Sequence, residues 1–253
     1  MINPIAFKIG SLQITWYGII YALSFLIGIL IAAKLSIKRN IPKDKIYDFS
    51  LYLIIFAVIF ARLFHVFVYN FSYYKNNLSQ IPKIWLGGVS LLGGFIGAVL
   101  AALYFCKKNK INFYDLGDIF VIPLALGTTF GRIGNFINQE LYGKITNLPW
   151  AVKFDNVSGL RHPTQIYEAI GNFIIFIILI IIWKKTTKKG LLFWTYILVY
   201  SFIRFLAEFL RDTPDLIANL LTITQIILVP IFILSLYFII KIKKNEIQQT
   251  TNP

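Results

Sequence analysis

Hydrophobic residues in this chain come in long runs, not in the alternation of half-buried strands or the narrow stripes of surface helices. Seven runs stand out, at about 14–33, 47–69, 89–106, 116–131, 165–183, 191–210 and 221–240. Each approaches the ~20 residues a helix needs to cross the hydrocarbon core of a bilayer. None alternates with period two, and an open sheet in lipid would leave backbone groups unpaired. The expected fold is therefore an all-α integral membrane protein with seven transmembrane helices, forming a single polytopic domain over 1–253. The fourth run is short and is expected either to tilt little or to end early at the outer surface. Pro123 and Pro230 fall inside runs and are read as kinks. The longest polar connection, about 135–163, carries Trp150, Val152 and Phe154 in alternation, a weak strand pattern. The last residues, about 245–253, are polar and expected to be disordered. No internal repeat is visible.

Composition agrees. Hydrophobic residues make up 57% and charged residues 14%, with mean hydropathy +0.70, against about 25% charged in soluble domains. A disordered chain and a disulfide-stapled miniprotein are excluded. The lone Cys106 excludes an internal disulfide and a multi-cysteine zinc site, and two histidines, His65 and His162, give no basis for a His-rich metal site.

The net charge of +14 would point to nucleic acid in a soluble protein. Its distribution says otherwise. Lys34, Lys38, Arg39, Lys43 and Lys45 fall in one connection. Lys107, Lys108 and Lys110, then Lys184, Lys185, Lys188 and Lys189, then Lys241, Lys243 and Lys244 fall in alternate later ones. Together they are the larger part of the 25 cations. Cytoplasmic loops collect Lys and Arg, so the expected topology has the N-terminus outside and the C-terminus in the cytoplasm, with no nucleic-acid partner. The cations of the first run mostly follow it, and the run is too long for a cleaved signal peptide.

Ionisable groups within spans are costly and mark candidate function. On this topology Tyr17, Arg62, Arg132, Glu140, Glu168, Arg204 and Glu208 share one depth, near the outer leaflet. Tyr200, Arg204, Glu208 and Arg211 are spaced four, four and three apart, which places them on one helical face. An Arg–Glu pair at i, i+4 can simply neutralise itself. Several arginines in a water-poor site instead suit a phosphate, because the guanidinium fork matches phosphate oxygens. Gly87-Gly88, Gly93-Gly94 and Gly97 read either as close helix packing or as bare backbone open to a lipid headgroup. Cys106 sits at the opposite end of its span from the polar cluster and is not read as a nucleophile. His65 reads by default as a packed, hydrogen-bonded residue, and His162 as a capping or hinge residue.

The segment 131–143, Gly-Arg-Ile-Gly-Asn-Phe-Ile-Asn-Gln-Glu-Leu-Tyr-Gly, closely resembles the signature of the prolipoprotein diacylglyceryl transferase family. Trp16-Tyr17-Gly18 resembles its first-span motif, and Gly87-Gly88 through Gly93-Gly94 its glycine-rich third span. Arg161-His162-Pro163-Thr164-Gln165-Ile166-Tyr167-Glu168 resembles the start of its fifth span, and Tyr200, Arg204, Glu208 and Arg211 its sixth. The family likewise has seven spans and an outside N-terminus.

The resemblance implies an enzyme of the bacterial inner membrane with its active site toward the outer leaflet. Such enzymes move the diacylglyceryl group of phosphatidylglycerol to the lipobox cysteine of a prolipoprotein signal peptide, the first step of lipoprotein maturation, without a cofactor or metal. It also implies roles. Arg132, Arg204, Asn135 and Glu140 become the catalytic candidates. Arg132, Arg204, Tyr17, Tyr200, Gly143, Glu208 and Arg62 become candidates for holding phosphatidylglycerol, with Gly143 allowing a tight turn. One departure stands out. The family usually has a histidine just before the second glycine pair of its third span, considered for thiol activation, and Leu92 occupies that place here. The alternative is accordingly an impaired or non-catalytic lipid-binding paralogue. Otherwise the thiol needs no dedicated base, or His65 or Glu140 substitutes.

Overall fold

A computed structural model describes residues 3–10, 12–212, 216–217 and 220–251. Among the described residues, seven helices are long and apolar enough to cross a membrane. They are α1 (Trp16–Ser36), α2 (Lys43–Phe64), α3 (Leu91–Asn109), α4 (Phe113–Ile137), α5 (Thr164–Lys185), α6 (Leu191–Glu208) and α7 (Ile223–Thr251). The fourth helix is not short. It has 25 residues, because helix continues past the apolar run through Arg132 and Asn135. Its first turn carries Asp115, favourably placed against the helix dipole. Helix also runs unbroken through Pro123 and Pro230. At its end α7 continues into the polar segment after Asn245, reaching Thr251.

The described residues form two compact units, 32–116 and 1–31 with 117–253. In the first, α2 and α3 pack closely. A Cβ at Gly93 or Gly97 would collide with the main chain of Phe60 or Phe56 on α2, so these glycines serve helix packing. Ser90 caps α3, its Oγ accepting from Gly93 N at 3.2 Å, while its own N–H donates to Ala61 O at 3.0 Å. Past α2 the chain makes a π-helical turn, His65–Tyr69. Its His65 ring meets Asn70 Nδ2 at 3.0 Å and the edges of Tyr69 and Tyr74. The packed, hydrogen-bonded reading of His65 holds.

In the second unit α5, α6 and α7 pack in sequence order. Here the polarity of a soluble protein is inverted. On α5, Ile170, Ile174, Ile177 and Ile181 are exposed, whereas Gln165, Glu168 and Asn172 are buried with Ile175 and Leu179. Lipid is as apolar as isoleucine, so the outward face needs no polar groups. Buried hydroxyls bond back to their own helix, as Ser235 does to Ile231 O at 2.6 Å. Asp118, fully buried, accepts from Gly190 N at 2.8 Å and Phe193 N at 2.9 Å, so a carboxylate closes the open donors at the start of α6.

Small antiparallel hairpins flank the helices. Strands β1 (Ile5–Ile9) and β2 (Leu12–Thr15) pair, as do β3 (Val152–Lys153) and β4 (Leu160–Arg161), and β5 (Leu216–Ile217) and β6 (Leu221–Thr222). The strand expected near Val152 is therefore present, with Val152 opposite Arg161 and Lys153 opposite Leu160.

Candidate active site

The last turns of α4 carry Arg132 and Asn135. The start of α5 carries Gln165 and Glu168. The end of α6 carries Arg204 and Glu208, with Arg211 just beyond. These residues converge. Glu168 is the hub: its Oε2 lies 2.8 Å from Arg132 Nη2, and its Oε1 accepts from Arg211 Nη1 at 2.9 Å. Glu208 Oε2 lies 2.5 Å from Arg204 Nη1 and 3.9 Å from Arg211 Nε. Both glutamate side chains are 2% exposed. Three guanidinium groups thus face two carboxylates, leaving one positive charge without a counterpart inside the cluster. Burial chiefly, then nearby Arg204, pushes the Arg211 pKa below its ordinary value, while Glu168 opposes this.

The cluster also keeps unused hydrogen-bonding capacity. Arg204 Nη1 and Glu208 Oε2 touch without an aligned hydrogen bond, and Arg211 Nε has none. Arg132 is the most open of the three arginines, at 20% of its side chain against 13% for Arg204 and 10% for Arg211. An excess cation and a partly open guanidinium are features that suit an anion.

A second chain of contacts leaves Arg132. Its Nη1 reaches Asn135 Oδ1 at 3.5 Å, and Asn135 Nδ2 donates to Glu140 Oε1 at 2.6 Å. Tyr17 packs on Gly134, next to Asn135, where a Cβ would come within 2.8 Å of the ring. Tyr200 stacks on Tyr196, centroids 5.7 Å apart.

The turn after α4 is unusual. Gln139 (φ 58°) and Leu141 (φ 61°) both occupy the left-handed region, disfavoured for side chains such as leucine. Neighbours hold the turn there. Gln139 Oε1 accepts from Asp155 N at 2.6 Å, and its Nε2 donates to Asp155 Oδ2 at 2.8 Å. Gln165 Nε2 donates to Glu140 O at 2.7 Å, and Thr164 Oγ1 to Leu141 O at 2.9 Å. A cavity of about 410 Å³ opens beside the turn, lined by Gln139, Glu140, Leu141, Tyr142, Asn156, Arg211 and Asp212.

Gly143 differs from its sequence reading. It does not have a positive φ, so no tight turn demands it. It is needed because Leu210 O, His162 Cβ and Thr164 Cγ2 would lie 2.5–2.7 Å from any Cβ there. His162 joins this junction through its main chain, its carbonyl accepting from Gly143 N at 2.9 Å.

Arg62 belongs to the 32–116 unit and is enclosed by main chain. Its Nε donates to Ile81 O at 2.8 Å, its Nη1 to Gly87 O and Gly88 O at 2.6 and 2.8 Å, and its Nη2 to Gln80 O and Lys83 O at 2.7 and 3.4 Å. All three nitrogens are occupied, which is the pattern of a loop anchor.

Arg132, Arg204, Glu208, Asn135, Glu140 and Tyr17 are thus brought into one connected constellation. Glu168, Arg211 and Gln165 carry its architecture, although the sequence reading assigned them no role in it. Depth had marked Glu168, and helical spacing Arg211. What spacing does not encode is that one glutamate on α5 would hold arginines from two other segments.

The sequence profile of the family described as prolipoprotein diacylglyceryl transferase matches residues 4–241. The chain is 35% identical over 254 residues to a phosphatidylglycerol–prolipoprotein diacylglyceryl transferase of Geobacter sulfurreducens, covering 97% of each chain. It is 38% identical over 247 residues to one of Finegoldia magna, covering 97% of this chain and 98% of that one. A Rickettsia bellii protein of the same name is 38% identical over 257 residues, covering 97% of each. Matched from end to end in this way, the chain belongs to the prolipoprotein diacylglyceryl transferase family.

Proposed function

We propose that this membrane protein transfers the diacylglyceryl group of phosphatidylglycerol to the lipobox cysteine thiol of prolipoproteins. The observation that supports the reading is the ion-paired cluster of Arg132, Arg204 and Arg211 with the buried Glu168 and Glu208, one positive charge in excess, in a chain that matches the family along nearly its whole length. The reaction is displacement at a glyceryl carbon, with a phosphate monoester leaving. Arg132 and Arg204 hold the lipid phosphate and stabilise the charge that grows on the departing oxygen, in surroundings poor in water. Glu168 and Glu208 orient those guanidinium groups. Asn135 orders the space between Arg132 and Glu140, and Tyr17 and Tyr200 border the headgroup.

In this reading the chain resides in the bacterial inner membrane. The polar cluster faces the outer leaflet, with the N-terminus outside and the C-terminus cytoplasmic, as the distribution of Lys and Arg supports. Leu92 removes the histidine that the family resemblance leads one to expect. The impaired-paralogue alternative gains nothing from this, because the ion-paired cluster and the Asn135–Glu140 contact are intact.

Reconstitution with phosphatidylglycerol and a lipobox peptide tests the proposal. Thioether-linked product with release of glycerol phosphate is expected. Peptide left unmodified by a folded, lipid-supplied preparation would overturn it.

A further inference from the structure

We infer that Glu140 is the group that takes the proton from the incoming cysteine thiol. The inference rests on the transferase reading above. A thiol attacks as thiolate, so a displacement at carbon needs somewhere for the S–H proton to go.

The carboxylates near the cluster are not equivalent. Glu168 has an arginine on each oxygen. Glu208 contacts Arg204 and Arg211. Asp212 is paired with Arg161 at 2.5 Å, and Asp155 accepts from Gln139. A carboxylate held by a guanidinium is a poor proton acceptor, because protonation would break the pair. Glu140 contacts an amide instead, Asn135 Nδ2 at 2.6 Å to Oε1. It is exposed, and it lines the 410 Å³ cavity. The histidines offer less: His162 Nδ1 faces Tyr167 Oη at 3.3 Å and His65 Nε2 faces Asn70 at 3.0 Å, and Leu92 has no site for a proton.

Placement reinforces chemistry. Asn135 touches Arg132 with its oxygen and Glu140 with its nitrogen, so the acceptor stands one amide away from the arginine assigned to the phosphate. The nucleophile's proton and the leaving group are thereby served side by side. The main chain at Glu140 is also fixed on both sides. Its N–H donates to Asn135 O at 3.1 Å and its carbonyl accepts from Gln165. Its two neighbours hold the positive φ values that only such pinning maintains. The strained turn aims this one side chain.

The step balances. The S–H proton passes to the Glu140 carboxylate, and the sulfur pair forms the C–S bond at the glyceryl methylene. The C–O bond breaks with its electrons on the phosphate oxygen, and glycerol phosphate departs. The proton then leaves Glu140 for water or for the departing phosphate.

The test uses the full-length protein in phosphatidylglycerol vesicles, with two lipobox peptides, one bearing cysteine and one selenocysteine. The selenol is already ionised at neutral pH and needs no base. In Glu140→Gln, kcat/KM for the cysteine peptide should fall on the order of 10²-fold, within the range of general-base contributions. The residual rate should climb about tenfold per pH unit toward the thiol pKa of about 8.5. The selenocysteine peptide should react at close to the wild-type rate. Equal loss with both peptides would make Glu140 a positioning residue and overturn the proposal, as would a variant as fast as wild type. Glu140→Asp repeats the comparison if the Gln variant is not recovered folded: thiol-selective loss upholds the assignment, and equal loss overturns it. Failure of wild type with both peptides would instead sink the transferase reading itself.

Discussion

Arg211, beyond the end of α6, donates its Nη1 to Glu168 Oε1 near the start of α5, 2.9 Å away. The other oxygen of Glu168 meets Arg132 of α4 at 2.8 Å. A single buried carboxylate on α5 therefore ties together α4 and the segment that follows α6. Removing one partner of a buried ion pair leaves charge without compensation and costs about 3–5 kcal/mol. Glu168→Gln should accordingly unfold at a clearly lower temperature in detergent. Coupling to Arg211→Gln should appear in a double-mutant cycle, because once the carboxylate is gone the second change removes a repulsion. Strictly additive losses would mean that the pair does not act as a unit.

Arg132 has the most open guanidinium of the cluster and the one joined to Asn135. Arg132→Ala should lower kcat by about 10²–10³, the usual effect of removing one strong donor from a developing negative charge. Arg132→Lys keeps the charge but not the fork, and should recover only part of that loss. Full activity in the alanine variant, measured as glycerol phosphate release, would remove Arg132 from the phosphate site.

Two glycines separate packing from chemistry. Gly143→Ala puts a methyl group against Leu210 O, His162 Cβ and Thr164 Cγ2. Overpacking of this kind costs about 1–3 kcal/mol, and it would displace the turn that carries Glu140. Gly127→Ala, in α4, meets nothing within 4 Å and should be neutral or stabilising by up to about 1 kcal/mol. Thermal midpoints with turnover measured in parallel decide the matter. Equal behaviour of the two variants would contradict the packing account of Gly143.

The spans were legible in the sequence because a bilayer leaves the outer face of each helix no option but apolar residues. The exception, the fourth helix, fails for the same reason. Its last turns hold Arg132 and Asn135 toward buried partners and not toward lipid, so the apolar signal ends before the helix does. Cost in the membrane likewise picked out Arg132, Arg204 and Glu208. Neither hydropathy nor spacing carries partner choice. Arg62 has the same cost as Arg132 and the same residue type, but it is filled by five carbonyls of a loop that begins 18 residues later. The positive φ of Leu141 was equally invisible, since contacts from residues distant in sequence, Thr164, Gln165, Asp155 and Asn156, hold the turn that way.

Arg62 offers the cleanest test of such a reassignment. Its sequence position made it a candidate for phosphatidylglycerol, yet its three nitrogens already donate to the 80–88 segment. Hydrogen bonds from a charged donor contribute about 1.5–3 kcal/mol each, and buried acceptors left empty cost more than the bonds' net gain. Arg62→Gln can reach only a fraction of these carbonyls. Amide exchange in the segment should therefore speed up, most visibly at Lys83, Leu86 and Gly87, whose N–H groups bond within it. KM for phosphatidylglycerol should change much less than in Arg132→Lys. Unchanged exchange together with a sharply raised KM would return Arg62 to the lipid-binding set.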